Sequence, residues 1–165
     1  MSRIFGNEKA FIKMISFAEG TNLAPDPYRV CFGYKHTIFD LRDHPAVTGE
    51  WTGEILPPEL CHAAGLSSGC KSTAAGISQL IKPTWLNIKA KLKLPDFSPD
   101  SQDRATLFLV AEASALEDLH RGDLQVVVGK CRRIWASLPG AGYSQPERRL
   151  SALKKAFTEA GGVLL

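Results

Sequence analysis

The chain has 165 residues, 44% of them apolar and 22% charged, with a net charge of +3. That length suits one ordinary domain, and the composition is too apolar and too weakly charged for a disordered chain. No G-X-Y, heptad or longer repeat is present, and no run approaches the roughly 20 apolar residues of a membrane span. Met1 to Ala18 carries Glu8, Lys9 and Lys13 inside its apolar pattern, so no secretory h-region is expected. Residues 1–70 hold six Lys/Arg against eight Asp/Glu, a balance of −2, and residues 71–165 hold fourteen against nine, a balance of +5. A basic half favours anionic polymers. The positive residues never run more than two together, so a solvated surface is the plainer reading and a nucleic-acid patch is not indicated.

Asn7 can cap a helix from Glu8, with Ala10, Phe11, Met14, Ile15 and Ala18 as its apolar stripe and Gly20 as its stop. Residues 22–70 are rich in Pro and Gly, with short β-leaning pieces at Tyr28–Phe32 and His36–Leu41. They predict a small hairpin lobe followed by a long irregular loop. Helical spacing returns with Ile81, Trp85, Ile88 and Leu92, Pro83 standing in the first turn. Ser98-Pro99 reads as an N-cap and first helical residue, with Asp100 and Asp103 suiting the positive helix end. Ala105 to Leu119 is apolar on most sides and predicts a buried central helix. Further helices are expected over about Asp123–Ser137 and Pro146–Ala160, the last stopped by Gly161-Gly162. The sum is an α+β chain, mainly helical, with one small β lobe and no linker that would divide residues 1–165 into independent domains. Trp85, Trp135 and Cys131 fall on helix stripes and are read as core, whereas Trp51 in the irregular loop is a candidate exposed platform.

Glu19 stands out by position. It continues the row Phe11, Ile15, Glu19 at i, i+4, i+8 and so points to the apolar side of its helix. It also occupies the last turn, where the helix end is negative. Partial burial and the helix dipole both disfavour the charged carboxylate and raise its pKa, which is the tuning a general acid needs at neutral pH. The plain alternative is a glutamate fraying into solvent beyond the helix end.

Several local words occur in order along the chain: Phe17-Ala18-Glu19-Gly20-Thr21, Asp43-His44-Pro45, Ser72 to Leu80, Asp96-Phe97-Ser98-Pro99, Arg121-Gly122-Asp123, Ile134 to Tyr143, and Glu159-Ala160-Gly161-Gly162. In this order and spacing they resemble the lambda-type phage endolysins, peptidoglycan lytic transglycosylases with a lysozyme-like fold. The resemblance covers about residues 8–162, and Trp135 to Tyr143 is its most specific part. It implies a lysozyme-like α+β domain with a cleft between lobes and a single catalytic acid, Glu19. That acid would protonate the glycosidic oxygen between N-acetylmuramic acid and N-acetylglucosamine. The muramic acid's own 6-hydroxyl would capture the sugar, giving a 1,6-anhydro end without consuming water. Thr21, Ser72, Gly76, Gln79 and Tyr143 would bind substrate: Gly76 by close backbone approach, Gln79 through its amide, Tyr143 by stacking and its hydroxyl. No metal or cofactor is implied. The implied partner is the peptidoglycan glycan strand, with no nucleic acid and no stable membrane binding. A monomer is expected, waiting in the host cytoplasm until a holin opens the way to the periplasmic wall.

Two other readings stand beside this one. A hydrolytic muramidase on the same scaffold would need a second carboxylate, with Asp26 or Asp40 as candidates and Asp43 nearby. Ordinary turn solvation accounts for the same residues. A non-catalytic glycan-binding module is the other. The chain also departs from the family pattern at Ile77-Ser78, where relatives carry larger residues, and in the length of the stretch Ala46 to Lys71, which holds Cys61, His62 and Cys70, with Cys31 upstream. Free thiols are the reading taken, because folding is expected in a reducing cytosol. A Cys61–Cys70 disulfide formed after release and a zinc site with Cys31, His36 and His62 are the alternatives.

Overall fold

A computed structural model describes residues 3–142 and 146–165. The chain divides into two compact units, one discontinuous (residues 1–23 and 106–165) and one contiguous (residues 24–105).

In the discontinuous unit, helix α1 (Arg3–Glu19) presents the expected stripe, and Ala10, Phe11, Met14, Ile15 and Ala18 are all buried. Asn7 is not its cap. It lies inside α1, fully buried, and its amide donates to Leu119 O at 2.9 Å and Val163 O at 3.2 Å while Oδ1 accepts from Val163 N at 2.8 Å. The amide thus ties α1 to the end of α6 and to the C-terminal segment at Val163, which a cap, accepting from its own helix, would not do. The end of helix α5 (Pro99–Glu112) also belongs to this unit. The expected continuous helix to Leu119 breaks there: Ser114 takes φ +55°, Ala115 N bonds back to Val110 O, and helix α6 (Leu116–Arg121) starts anew. Lys130 donates to the freed Ser114 carbonyl at 2.8 Å. Gly122 ends α6, and Asp123 caps helix α7 (Leu124–Cys131). That helix stops six residues before the expected Ser137, giving way to a series of turns through Leu138. Helix α8 (Leu150–Glu159) starts later than expected, and Arg148 N just before it is bonded to Ser137 O. Helices α6 and α8 pack on α1, and Phe11 meets Trp135 edge to face at 6.0 Å inside the shared core. A side chain at Gly162 would strike the Phe157 ring, so only glycine lets the chain close over it.

In the contiguous unit the hairpin is not where the β-leaning pieces stood. Residues 27–29 and 32–34 form short 3₁₀ turns, and a single bridge, Val30 to Thr37, joins the two pieces. Among the described residues the sheet consists of strands β1 (Glu54–Ile55) and β2 (Lys71–Ser72), antiparallel, with Glu54 opposite Ser72 and Ile55 opposite Lys71. It forms within the stretch expected to be irregular, which also holds helices α2 (Pro45–Thr48) and α3 (Pro58–Ala63). The hairpin brings its loop back on itself, and Cys61 and Cys70 are joined in a disulfide, Cα to Cα 5.8 Å. The free-thiol reading therefore fails for this pair. It holds for Cys31, and Cys131 is buried in the core as expected; burial pushes both thiols up to about 12. With two sulfurs taken, no three His, Cys, Asp or Glu side chains are gathered as a metal requires among the described residues.

The core of this unit is built on helix α4 (Lys82–Leu92), where Trp85 and Ile88 are fully buried, and on Phe97, whose ring meets Trp85 at 4.7 Å and His44 at 5.0 Å. The start of α5 follows expectation: Gln102 N bonds to Ser98 O, and Ser101 N to Ser98 Oγ. No helix among the described residues is long and apolar enough to cross a membrane.

Candidate active site

Glu19 is the last residue of α1 and remains on the helix because the buried stripe below it is unbroken. Gly20, at φ +79°, turns the chain away immediately after it. Thr21 is buried, its hydroxyl 2.8 Å from that of Ser16, so this turn is tied to the helix it follows. The Glu19 carboxylate is half-buried. Its Oε1 accepts a 2.8 Å hydrogen bond from Ser137 Oγ. Burial pushes the carboxyl up from an ordinary value of 4.5 to about 7, against the opposing pull of the Ser137 hydrogen bond and the positive charge of Arg148. Its position at the negative helix end acts in the same direction as burial. The result is a carboxyl group that holds its proton near neutrality and can still release it. Among the described residues no second carboxylate acts on it.

The remaining residues singled out from the sequence are placed as follows. Gly76 is buried at φ +80°, and a side chain there would fall 2.2 Å from Gln102 Oε1. The close approach it permits is to Gln102. That amide is a hub: its Oε1 accepts from Ile77 N, and its Nε2 donates to Tyr28 O and Phe97 O. Gln79 is partly exposed at φ +55°, and its Nε2 donates to Val30 O and Gly76 O. Its side-chain oxygen is the part left to meet a ligand. Ser72 is partly exposed on β2, its hydroxyl accepting from Ala74 N at 3.3 Å. Ser72, Gly76 and Gln79 therefore share one segment of the contiguous unit, and Glu19 and Thr21 share one turn of the other. Tyr143 lies outside the described residues. Trp51 is half-buried rather than an exposed platform.

The three aspartates considered as second carboxylates each have local partners. Asp26 pairs with Arg29 and accepts from Tyr28 N. Asp40 pairs with Arg42, whose hydrogen bonds hold it below the usual carboxylate range. Asp43 accepts from Trp85 Nε1 at 2.7 Å and pairs with Lys89; these contacts outweigh its burial and hold it low. Ser137 and Arg148 are the functional candidates that sequence reasoning missed. Ser137 lies within the Ile134–Tyr143 word, but no local feature ties it to a residue 118 positions earlier.

Comparison with known proteins completes the picture. A structure of bacteriophage lambda lysozyme complexed with a chitohexasaccharide superposes with a TM-score of 0.80 at 35% identity, over 97% of both chains. A second lambda lysozyme structure gives 0.79 at 34% identity. The chain thus has the lysozyme-like α+β fold. The family model described as Endolysin matches residues 9–164. The endolysin of Escherichia phage P2 is 39% identical over 95% of this chain and 94% of its own. That of Escherichia phage lambda is 37% identical over 99% of this chain and 97% of its own. The chain belongs to the endolysin family, phage enzymes of cell-wall lysis.

Proposed function

We propose that this chain is a lytic transglycosylase that cleaves the β-1,4 bond between N-acetylmuramic acid and N-acetylglucosamine in peptidoglycan. The observation that carries the reading is the half-buried Glu19 carboxyl, which holds a proton up to about pH 7 with no second carboxylate acting on it among the described residues. Protonated Glu19 gives its proton to the glycosidic oxygen, which leaves with N-acetylglucosamine as its 4-hydroxyl. The muramic acid C1 becomes oxocarbenium-like. The 6-hydroxyl of the same sugar bonds to C1 and passes its proton to the Glu19 carboxylate. The anhydro ring closes, the acid is restored and no water enters. An ionisation midpoint near neutrality suits a group that must first give and then take a proton.

The substrate-binding set rests on the same reading. The Ser72 hydroxyl and the Gln79 side-chain oxygen meet sugar hydroxyls or acetamido groups, and Tyr143 stacks on a sugar face. Thr21 and Gly76 act by fixing the backbone, one of the turn after Glu19 and the other of the 72–79 segment. The whole of residues 1–165 works as one catalytic domain, a monomer that needs no cofactor. The glycan-bound lambda relative supports a glycan strand as ligand. The basic residues 71–165 aid association with the anionic wall. The enzyme accumulates in the host cytoplasm and reaches the periplasmic wall through a holin lesion. Mass analysis of digested muropeptides tests the chemistry. Saccharide ends one water lighter than the hydrolytic product are expected, and reducing muramic acid ends alone would replace transglycosylation with hydrolysis.

A further inference from the structure

The last turn of α1 is held by two residues far away in the chain. Ser137 Oγ donates to Glu19 Oε1 at 2.8 Å. The Ser137 carbonyl accepts from Arg148 N at 2.7 Å. Arg148 Nε donates to Ala18 O at 3.3 Å, and its guanidinium lies 5.0 Å over the Phe17 ring. Three consecutive residues, Phe17, Ala18 and Glu19, are therefore each engaged by this pair. A hydroxyl that donates to Oε1 needs that oxygen as an acceptor, which leaves Oε2 to carry the acidic hydrogen.

We propose that Ser137 and Arg148 are positioning residues for the acid: they assign its transferable proton to Oε2 and hold the end of α1 in the orientation that presents it. This rests on the reading of Glu19 as the general acid. The electrostatics agree with the geometry. Burial drives the carboxyl up, and the two positioning residues pull it down toward about 7. Among the described residues the charge that acts on Glu19 is that of Arg148. On the helices packed against α1, Asp118 of α6 pairs with Arg121 and Lys130, and His120 with Glu8, while Lys155 of α8 pairs with Glu159; Glu117 of α6 and Lys154 of α8 are the other charged groups there, and neither acts on Glu19. Arg148 itself is exposed, so its field is weakened by salt.

The test reads the carboxyl directly. The full chain, labelled with ¹³C-glutamate, is titrated by NMR, and wall clearing is followed across pH. Ser137→Ala should raise the Glu19 midpoint by about half a unit or more. The alkaline limb of the rate should move with it, with kcat reduced and KM little changed. Ser137→Thr, which keeps the hydroxyl, should restore both. Arg148→Gln should raise the midpoint at low salt, and the difference from the native chain should shrink at high salt. Native midpoints in both Ser137→Ala and Arg148→Gln, with activity falling only as folded protein is lost, would overturn the proposal. The acid reading fails separately, through an active Glu19→Gln variant, so the two failures are told apart.

Discussion

Glu19 in the discontinuous unit and the buried polar groups of the contiguous unit are compensated to different degrees. In the contiguous unit, the buried Gln102 amide engages three main-chain groups, and His44 uses both ring nitrogens, on Leu80 O and Ala46 N. Asp43 is surrounded by Trp85 and Lys89 and sits low. In the discontinuous unit, Glu19 is turned toward protein with one hydrogen bond among the described residues and an exposed arginine to offset its burial, and it sits high. Complete compensation gives a rigid frame with no chemistry to spare. Incomplete compensation gives a group whose proton is available near neutrality.

The sharpest way to break this contrast is Glu19→Gln, which keeps shape and removes the acid. Wall-clearing rate should fall by about 10²–10⁴-fold, the range of a lost general acid. Gln102→Ala should leave the pH profile of activity in place but cost about 3 kcal/mol or more in denaturant unfolding, because three main-chain groups lose their partner. The acid should itself be a burden on the fold. A carboxyl raised from 4.5 to about 7 penalises the native state only when ionised. The penalty is absent below pH 4.5, grows up to pH 7 and is complete above it, reaching about 3 kcal/mol as an upper figure. Glu19→Gln should therefore be more stable than the native chain at pH 8, and the gain should vanish at pH 4. The smallest effect is expected at the hairpin. Reduction of the Cys61–Cys70 bond, or Ser at both positions, should cost about 2 kcal/mol, seen as faster amide exchange confined to residues 54–72.

What was legible in the sequence was whatever a local period or cap could encode. The α1 stripe, the Ser98-Pro99 helix start and the burial of Trp85, Trp135 and Cys131 all follow from spacing along one element. Glu19 was visible for the same reason, as the end of a row. The misreadings share a different cause. Asn7 looks like a cap until its partners at Leu119 and Val163 are known. The break at Ser114 depends on a carbonyl that Lys130 satisfies sixteen residues on. The β-leaning pieces around Val30 and Thr37 are taken up by 3₁₀ turns on either side of one bridge, while the pairing of 54–55 with 71–72 closes a loop that no short-range pattern announces. Ser137 and Arg148 belong to this second group, since a hydrogen bond between distant positions leaves no periodic trace.

Chain order around Glu19 has a consequence for biosynthesis. Residues 24–105 are contiguous and can condense while the ribosome is still working. Glu19 precedes them all, yet the helices that pack on α1 and bury its end, α6 and α8, begin only at Leu116 and Leu150. A nascent chain that lacks those helices therefore carries an ordinary carboxylate, and the group acquires its chemical character only once they have been added and packed.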